Sequence, residues 1–150
     1  MALQLDEADG RNDGVTRFVR GILRGGAPPP IAPVDSIPDP YREAGSHPDA
    51  VERLWEELGA ALPTDCRCLV YGTPALVHPS AGVVLAFSMG TGYFVRLPSG
   101  AVVHDAGQPG DWRSETLREL GPDWAVGSWS ADELDWCRST FAELGRVNLR

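Results

Sequence analysis

Lysine is absent from this sequence, and all thirteen of its Lys/Arg-type residues are arginine. We attribute this to the codon usage of a GC-rich genome and expect a bacterial protein. The sequence also has twenty-one acidic residues, which give a formal net charge of −8. A protein that binds nucleic acid without regard to sequence needs several cations to neutralise phosphates. The charge therefore argues against a nucleic-acid partner and predicts an acidic surface.

The sequence also lacks any apolar run close to the roughly 20 residues that span a membrane. Its first ten residues, MALQLDEADG, have neither the basic start nor the apolar stretch of a signal peptide. We therefore expect a cytoplasmic protein without a membrane span. Its 150 residues are enough for one hydrophobic core.

Cysteine is scarce, and an odd count of three argues against the disulfide framework of a secreted protein. Cys66 and Cys68 would point to the same face of a strand. A metal site would have to add Cys137 and one of the histidines at positions 47, 78 and 104. Zinc sites use two cysteines separated by about two to four residues, together with a matching second pair. We therefore predict buried thiols, with neither a metal nor a cofactor.

The first 45 residues are predicted to form an N-terminal arm, with a single domain in residues 46–150. Within the arm, residues 15–24 have a helical apolar pattern with arginines on the opposite side. Residues 25–41 contain six prolines, which exclude a helix or a central strand. The helix could dock on a partner or on its own domain. Its candidate binding residues are Arg17, Phe18, Arg20 and Ile22.

The domain is predicted to be α+β, an antiparallel β-meander packed by an N-terminal and a C-terminal helix. Ser46 is expected to cap the first helix, with Pro48 in its first turn. Short β-rich runs separated by glycine and proline turns follow, at hairpin spacing. These runs are Leu69–Tyr71, Val83–Phe87, Tyr93–Leu97 and Ala101–His104. The apolar run Val83–Phe87 is typical of a central strand covered on both faces.

The last third of the chain predicts a short helix, an edge strand and a closing helix. Residues 115–120 form the short helix, which Gly121 and Pro122 end. Residues 124–129 form the edge strand. Ser130 and Glu133 have the spacing of a capping box at the start of the closing helix. We expect Trp124 and Trp136 in the core, with Trp112 and Trp129 at the surface.

The order of these elements resembles the TfoX N-terminal and YjbR-like group of small α+β proteins. Three segments carry the resemblance, YGTPA at 71–75, GVVLAF at 82–87 and GYFVRL at 92–97. The resemblance implies a small domain that acts through contacts and no particular chemistry. Residues 55–58 (WEEL) and 62–65 (LPTD) are also similar to the start of the SUKH immunity-protein superfamily, which is the second choice. The strand-like run after Asp65 departs from that pattern.

No motif in the sequence carries a specific chemistry. The glycines at 90 and 92 resemble a phosphate-binding loop, but a strand follows them where such a loop needs a helix. His78, Ser80, His104 and Asp105 could form a hydrolase-like site only if the fold placed them within hydrogen-bond reach. The sequence therefore predicts a protein that is more readily a non-enzyme than an enzyme.

Four residues of the domain are candidate binding residues. Arg96, in the middle of a predicted strand, could pair with a helix carboxylate or bind an anion. Tyr93 lies on the same strand, and Trp112 and Trp129 are predicted to be exposed aromatics. The leading hypothesis is a non-enzymatic protein-interaction module, an adaptor or an immunity-like inhibitor. The alternatives are a small-molecule-binding accessory protein using the sheet face near Tyr93 and Arg96, and an enzyme with a His/Asp/Ser site.

Overall fold

The computed structural model describes residues 4–21, 29–101 and 111–148. The strands are β1 Ile31–Ala32, β2 Arg67–Val70, β3 Thr73–Val77, β4 Val84–Met89, β5 Gly92–Arg96 and β6 Trp124–Val126. The helices are α1 Asp13–Gly21, α2 Pro40–Glu43, α3 Pro48–Glu52, α4 Trp112–Leu120 and α5 Asp132–Asn148. Helix α3 continues as a π-helix over Arg53–Leu58 and a 3₁₀ turn over Gly59–Ala61.

The strands form a six-stranded antiparallel sheet whose order follows the chain, from β1 to β6. The predicted α+β fold with a meander sheet is thus confirmed, and so is the central position of Val83–Phe87. Strand β3 is an addition to the predicted strands, because Gly72, Thr73 and Pro74 have the composition of a turn. The turn lies earlier, at Tyr71 and Gly72, where φ values of 47° and 81° match a two-residue hairpin loop.

Helices cover both faces of the sheet. Helix α3, its π-helical continuation and α5 pack on one face, with Leu54, Trp55 and Leu85 in the cluster between them. Helices α1 and α4 pack on the other face, around Phe87 and Phe94. The pairing of β3 with β4 shifts register at one point, so β4 has an extra residue there. This bulge places Leu85 and Phe87 in different clusters.

The amphipathic helix predicted over residues 15–24 is α1, and it packs on the sheet of its own chain. Val15 and Val19 are fully buried in the cluster around Phe87. The preceding Asn12 is also buried; its side-chain amide donates to the Gly82 carbonyl and its side-chain oxygen accepts from the Val84 amide. The apolar side of this helix is therefore occupied within the chain, which removes the reason to expect a partner on that side.

The proline-rich segment also joins the fold. Strand β1 pairs with β2, and Val34 and Ile37 pack against the cluster on the α3 side. Segments before residue 46 thus contribute to the same sheet and the same core. The separate folding of residues 46–150 stays a prediction.

Several predicted element ends are corrected. His47, rather than Ser46, caps α3, because His47 Nδ1 accepts a hydrogen bond from the Asp49 amide. Helix α4 begins at Trp112, three residues before its predicted start, because Asp111 caps it. Strand β6 ends at Val126, and the predicted capping box is only half formed, since Ser130 Oγ accepts from the Asp132 amide. Residues 102–104 of the predicted strand Ala101–His104 lie outside the described residues.

Within the described ranges, no helix is both long enough and apolar enough to cross a bilayer.

Candidate functional site

Trp129 combines an exposed side chain with an unusual backbone conformation. It lies between β6 and α5, its side chain is half-exposed at 48%, and its φ is +57°. Residues other than glycine rarely adopt this left-handed backbone conformation, and a bulky residue there is strained. Strain of this kind persists only where the surrounding structure enforces it, and it concentrates at functional sites.

Tyr93 of β5 is the main support of Trp129. Its hydroxyl accepts a hydrogen bond from the Trp129 amide at 2.8 Å, and its ring contacts the indole edge-on at a centroid distance of 4.8 Å. Gly127 crosses the Tyr93 ring so closely that a Cβ there would lie 2.2 Å from the ring. Only glycine fits at position 127, so the backbone packs directly on the Tyr93 ring two residues before Trp129.

Arg53 and Glu133 complete a buried network around Tyr93. The Tyr93 hydroxyl donates to Glu133, and Arg53 Nε donates to the same hydroxyl at 3.2 Å. Arg53 Nη2 donates to Glu133 at 3.1 Å and to the Ser130 carbonyl at 2.6 Å. The other Glu133 oxygen accepts from the Ser128 amide at 2.7 Å. Tyr93, Arg53 and Glu133 therefore hold residues 128–130 by their backbone.

The electrostatics of this network favour a charged guanidinium at Arg53 and a neutral phenol at Tyr93. Burial and then the hydrogen bond to Glu133 raise the pKa of Tyr93 far above its ordinary value. Burial opposes the charge on Arg53, but its hydrogen bonds to Tyr93 and Glu133 outweigh this and raise its pKa. The Arg53 guanidinium and the Glu133 carboxylate form a salt bridge whose two side chains are at most 6% exposed. Water cannot easily compete for these bonds, so the network is rigid.

Trp112 is the second exposed aromatic. It is 37% exposed, its ring meets Phe94 edge-on at a centroid distance of 6.1 Å, and the Arg113 guanidinium lies 4.8 Å from it. Trp112 and Trp129 contact Phe94 and Tyr93, adjacent residues of β5, from opposite faces of the sheet. Among the described residues, they are the exposed large hydrophobic side chains.

The structure places Arg96 apart from Tyr93, on the other face of β5. Arg96 Nε and Nη2 donate to the Val84 and Arg11 carbonyls at 2.7 and 3.0 Å, and its guanidinium lies 4.6 Å from the Trp124 ring centre. Burial, and then the charge of Arg11, lower its pKa to about 10. Arg96 lines a pocket of about 720 Å³. Tyr93 and Arg96 therefore do not share a sheet face, because alternate residues of a strand point to opposite faces. A small-molecule site near these residues stays a prediction.

The candidate residues of α1 lie on its two sides. Phe18 is half-buried, and its ring packs on that of Phe87 at a centroid distance of 6.0 Å. Arg17 and Arg20 are exposed. Arg20 lies over the Tyr71 ring at 5.6 Å. Ile22 is outside the described residues.

The described residues that were candidates for catalysis or metal binding contact backbone amides or core side chains. His78 Nδ1 accepts from the Ser80 and Ala81 amides, and its ring stacks on Phe141 at 4.3 Å. His104 and Asp105 lie outside the described residues. The cysteines are buried, which raises the pKa of Cys66 to about 12. In the described parts of the chain, no three His, Cys, Asp or Glu residues come together as a metal site would require.

The network around Trp129 was not predicted. Glu133 was assigned to a helix cap, and Arg53 had no assigned role. The sequence holds two signals of this network: Arg53 lies among apolar residues of the first domain helix, and Gly127 follows the edge strand.

No protein-family model, curated protein or solved structure matches this chain. The resemblances to the TfoX N-terminal and YjbR-like group and to the SUKH superfamily stay predictions.

Proposed function

We propose that this chain is a non-enzymatic protein-interaction module of the bacterial cytoplasm, and that Trp129 is its anchor for a partner protein. The observation that carries this proposal is the strained and half-exposed Trp129, held by a buried network. A glycine at this position would remove the strain, and a polar residue would remove the exposed apolar surface. A tryptophan here is costly for folding, and binding is the function that offsets such a cost.

The rigidity of the site suits an anchor. Tryptophan is enriched among the few interface residues that dominate binding energy. An anchor that is already fixed loses less conformational entropy when a partner binds, so more of its contact energy becomes affinity. Tyr93, Arg53 and Glu133 supply this fixation in the free protein.

Charge indicates the kind of partner surface. The chain has a net charge of −8, and the exposed Asp132 follows Trp129 closely at the start of α5. An apolar cleft with basic residues on its rim would match this arrangement, since complementary charge accelerates association and excludes wrong partners. We therefore propose a partner with a basic surface around an apolar cleft.

The test compares the wild-type chain with Trp129→Gly as immobilised baits in an extract of the native cell. Glycine accepts the backbone conformation of residue 129 without strain, so the variant should fold. Arg138→Gln is the matched control, because Arg138 is exposed and pairs only with Asp135 within the described chain. Captured proteins are then purified, and their affinities are measured by isothermal titration calorimetry.

We expect a partner that binds the wild type and Arg138→Gln with affinities within about threefold, and Trp129→Gly at least about thirtyfold more weakly. Circular dichroism must show the same fold for all three proteins. Equal affinity of Trp129→Gly for every captured partner would contradict the proposal.

A further inference from the structure

A pocket of about 720 Å³ lies at the end of the sheet, and none of its lining residues belongs to the Trp129 network. The residues after β5, the turn before β6 and the second half of α5 form its walls, and Arg11 closes one side. Its volume is within the range of pockets that hold small organic ligands, about 300–1,000 Å³. Leu97, Pro98, Pro122 and Leu144 give it an apolar wall.

Arginines dominate the charge of this pocket. Arg11, Arg96 and Arg146 line it, together with Asp123 and Glu143. A surplus of cations is unusual in a chain whose net charge is −8. Three arginines against two acids give the lining a formal charge of +1, and Asp9, outside the lining, pairs with Arg11.

Two acids near the pocket already have partners there, so neither binds Arg96 or Arg146 directly. The Glu143 carboxylate accepts from the Ser99 amide at 3.1 and 3.2 Å and from the Ser99 hydroxyl at 3.2 Å. The Asp9 carboxylate binds Arg11 Nε at 3.0 Å and Arg11 Nη2 at 2.7 Å. Within the described chain, neither Arg96 nor Arg146 has a carboxylate oxygen within 4.0 Å.

Arg96 is the buried cation of this pocket. Its residue is 6% exposed, and the acceptors of its Nε and Nη2 are the uncharged carbonyl oxygens of Val84 and Arg11. Burial makes the charge of Arg96 unfavourable, and the more distant carboxylates of Asp123 and Asp9 offset this only in part. An anion in direct contact with the guanidinium would offset it further. The lowered pKa of Arg96 reflects the same burial.

We propose that this pocket binds a small organic anion, with its phosphate or carboxylate group at Arg96 and Arg146 and its apolar part against the wall. The guanidinium group matches both oxyanions through paired hydrogen bonds. The size of the pocket admits a ligand as large as a nucleoside monophosphate. This site goes beyond the proposed partner binding and uses none of its residues.

The test measures thermal stability and calorimetric binding of the intact chain with three probes: inorganic phosphate, citrate and adenosine 5′-monophosphate. Sodium chloride at matched ionic strength is the baseline. Arg146→Gln removes an exposed charge at the pocket, so the variant should fold. Arg138→Gln, a change of the same type on the same helix, is the control because Arg138 does not line the pocket.

We expect the monophosphate or citrate to raise Tm above the salt baseline and to bind more tightly than inorganic phosphate, because each adds contacts beyond a single oxyanion. A preference for the monophosphate identifies a phosphate ester as the ligand class, and a preference for citrate identifies a carboxylate. Arg146→Gln should weaken binding at least about tenfold, whereas Arg138→Gln should not change it.

Two results would overturn the proposal. One is that none of the probes stabilises the wild type more than salt does. The other is that Arg146→Gln binds as tightly as the wild type. Both can occur while Trp129 still binds a partner, so the two proposals stand or fall separately.

Discussion

Tyr93→Phe tests the network around Trp129 most directly, because it removes one oxygen and keeps the ring. That oxygen accepts from Arg53 Nε at 3.2 Å and from the Trp129 amide at 2.8 Å, and it donates to Glu133. Arg53 and Glu133 are buried, so water cannot replace the lost bonds there.

The expected loss follows from these three bonds. A buried donor left without an acceptor costs about 1–3 kcal/mol, which applies to Arg53 Nε. The hydrogen bond from the Trp129 amide lies beside a half-exposed side chain, and its loss should cost about 1 kcal/mol. Loss of the hydrogen bond to Glu133 should cost a similar amount. Allowing for coupling among them, we expect the free energy of unfolding to fall by about 3–4 kcal/mol. For a chain of this length, Tm should fall by about 6–16 °C.

Urea unfolding followed by circular dichroism measures this loss. Tyr41→Phe is the matched control, because the Tyr41 hydroxyl bonds to Glu56 at the surface, where such a bond contributes about 1 kcal/mol or less. Hydrogen exchange at the Trp129 amide should also become faster in Tyr93→Phe. If Tyr93→Phe loses no more stability than Tyr41→Phe, and if the Trp129 amide stays protected, the network does not hold Trp129.

Three further predictions concern the fold. Gly127→Ala should lower the free energy of unfolding by at least about 3 kcal/mol in urea titrations, because the added Cβ would lie 2.2 Å from the buried Tyr93 ring. Gly21→Ala is the control: its added Cβ has no atom within 4 Å, so the variant should lose less than about 0.5 kcal/mol. Val19→Ala should cost about 1–3 kcal/mol by the same assay if α1 packs as described, and a loss below about 0.5 kcal/mol would place α1 away from the core. Burial lowers the pKa of His78, so the imidazole binds a proton more readily in the unfolded chain than in the folded one. The contribution of His78 to stability should therefore be complete above about pH 6.5 and should decline as the pH falls below that value. In His78→Gln, urea titrations at several pH values should show a smaller decline.

The parts of the fold that could be predicted are those whose local pattern agrees with their final environment. The apolar run Val83–Phe87 is buried, as its composition predicts. Trp124 lies in the core and Trp129 lies at the surface. Gly121 ends α4 as predicted, with its amide bonded to the Leu117 carbonyl.

The parts that could not be predicted depend on contacts between distant segments. Strand β3 contains a proline, and its neighbours β2 and β4 outweigh that local signal. Glu133 has the local spacing of a helix cap, but Arg53, eighty residues earlier, and Tyr93, forty residues earlier, draw its carboxylate into the interior. A sequence pattern confined to one segment contains no information about such partners.

The sequential order of the sheet has a consequence for how the chain folds during synthesis. Each strand pairs with the next one along the chain. The pairings from β2 to β5 have short connections, so this part of the sheet can form as residues leave the ribosome. Helix α5 is made after the six strands, and it brings Glu133. Until then, Arg53 and Tyr93 lack their carboxylate partner. We therefore expect a product truncated before α5 to lack the Glu133 bonds that hold residues 128–130, and with them the fixed position of Trp129.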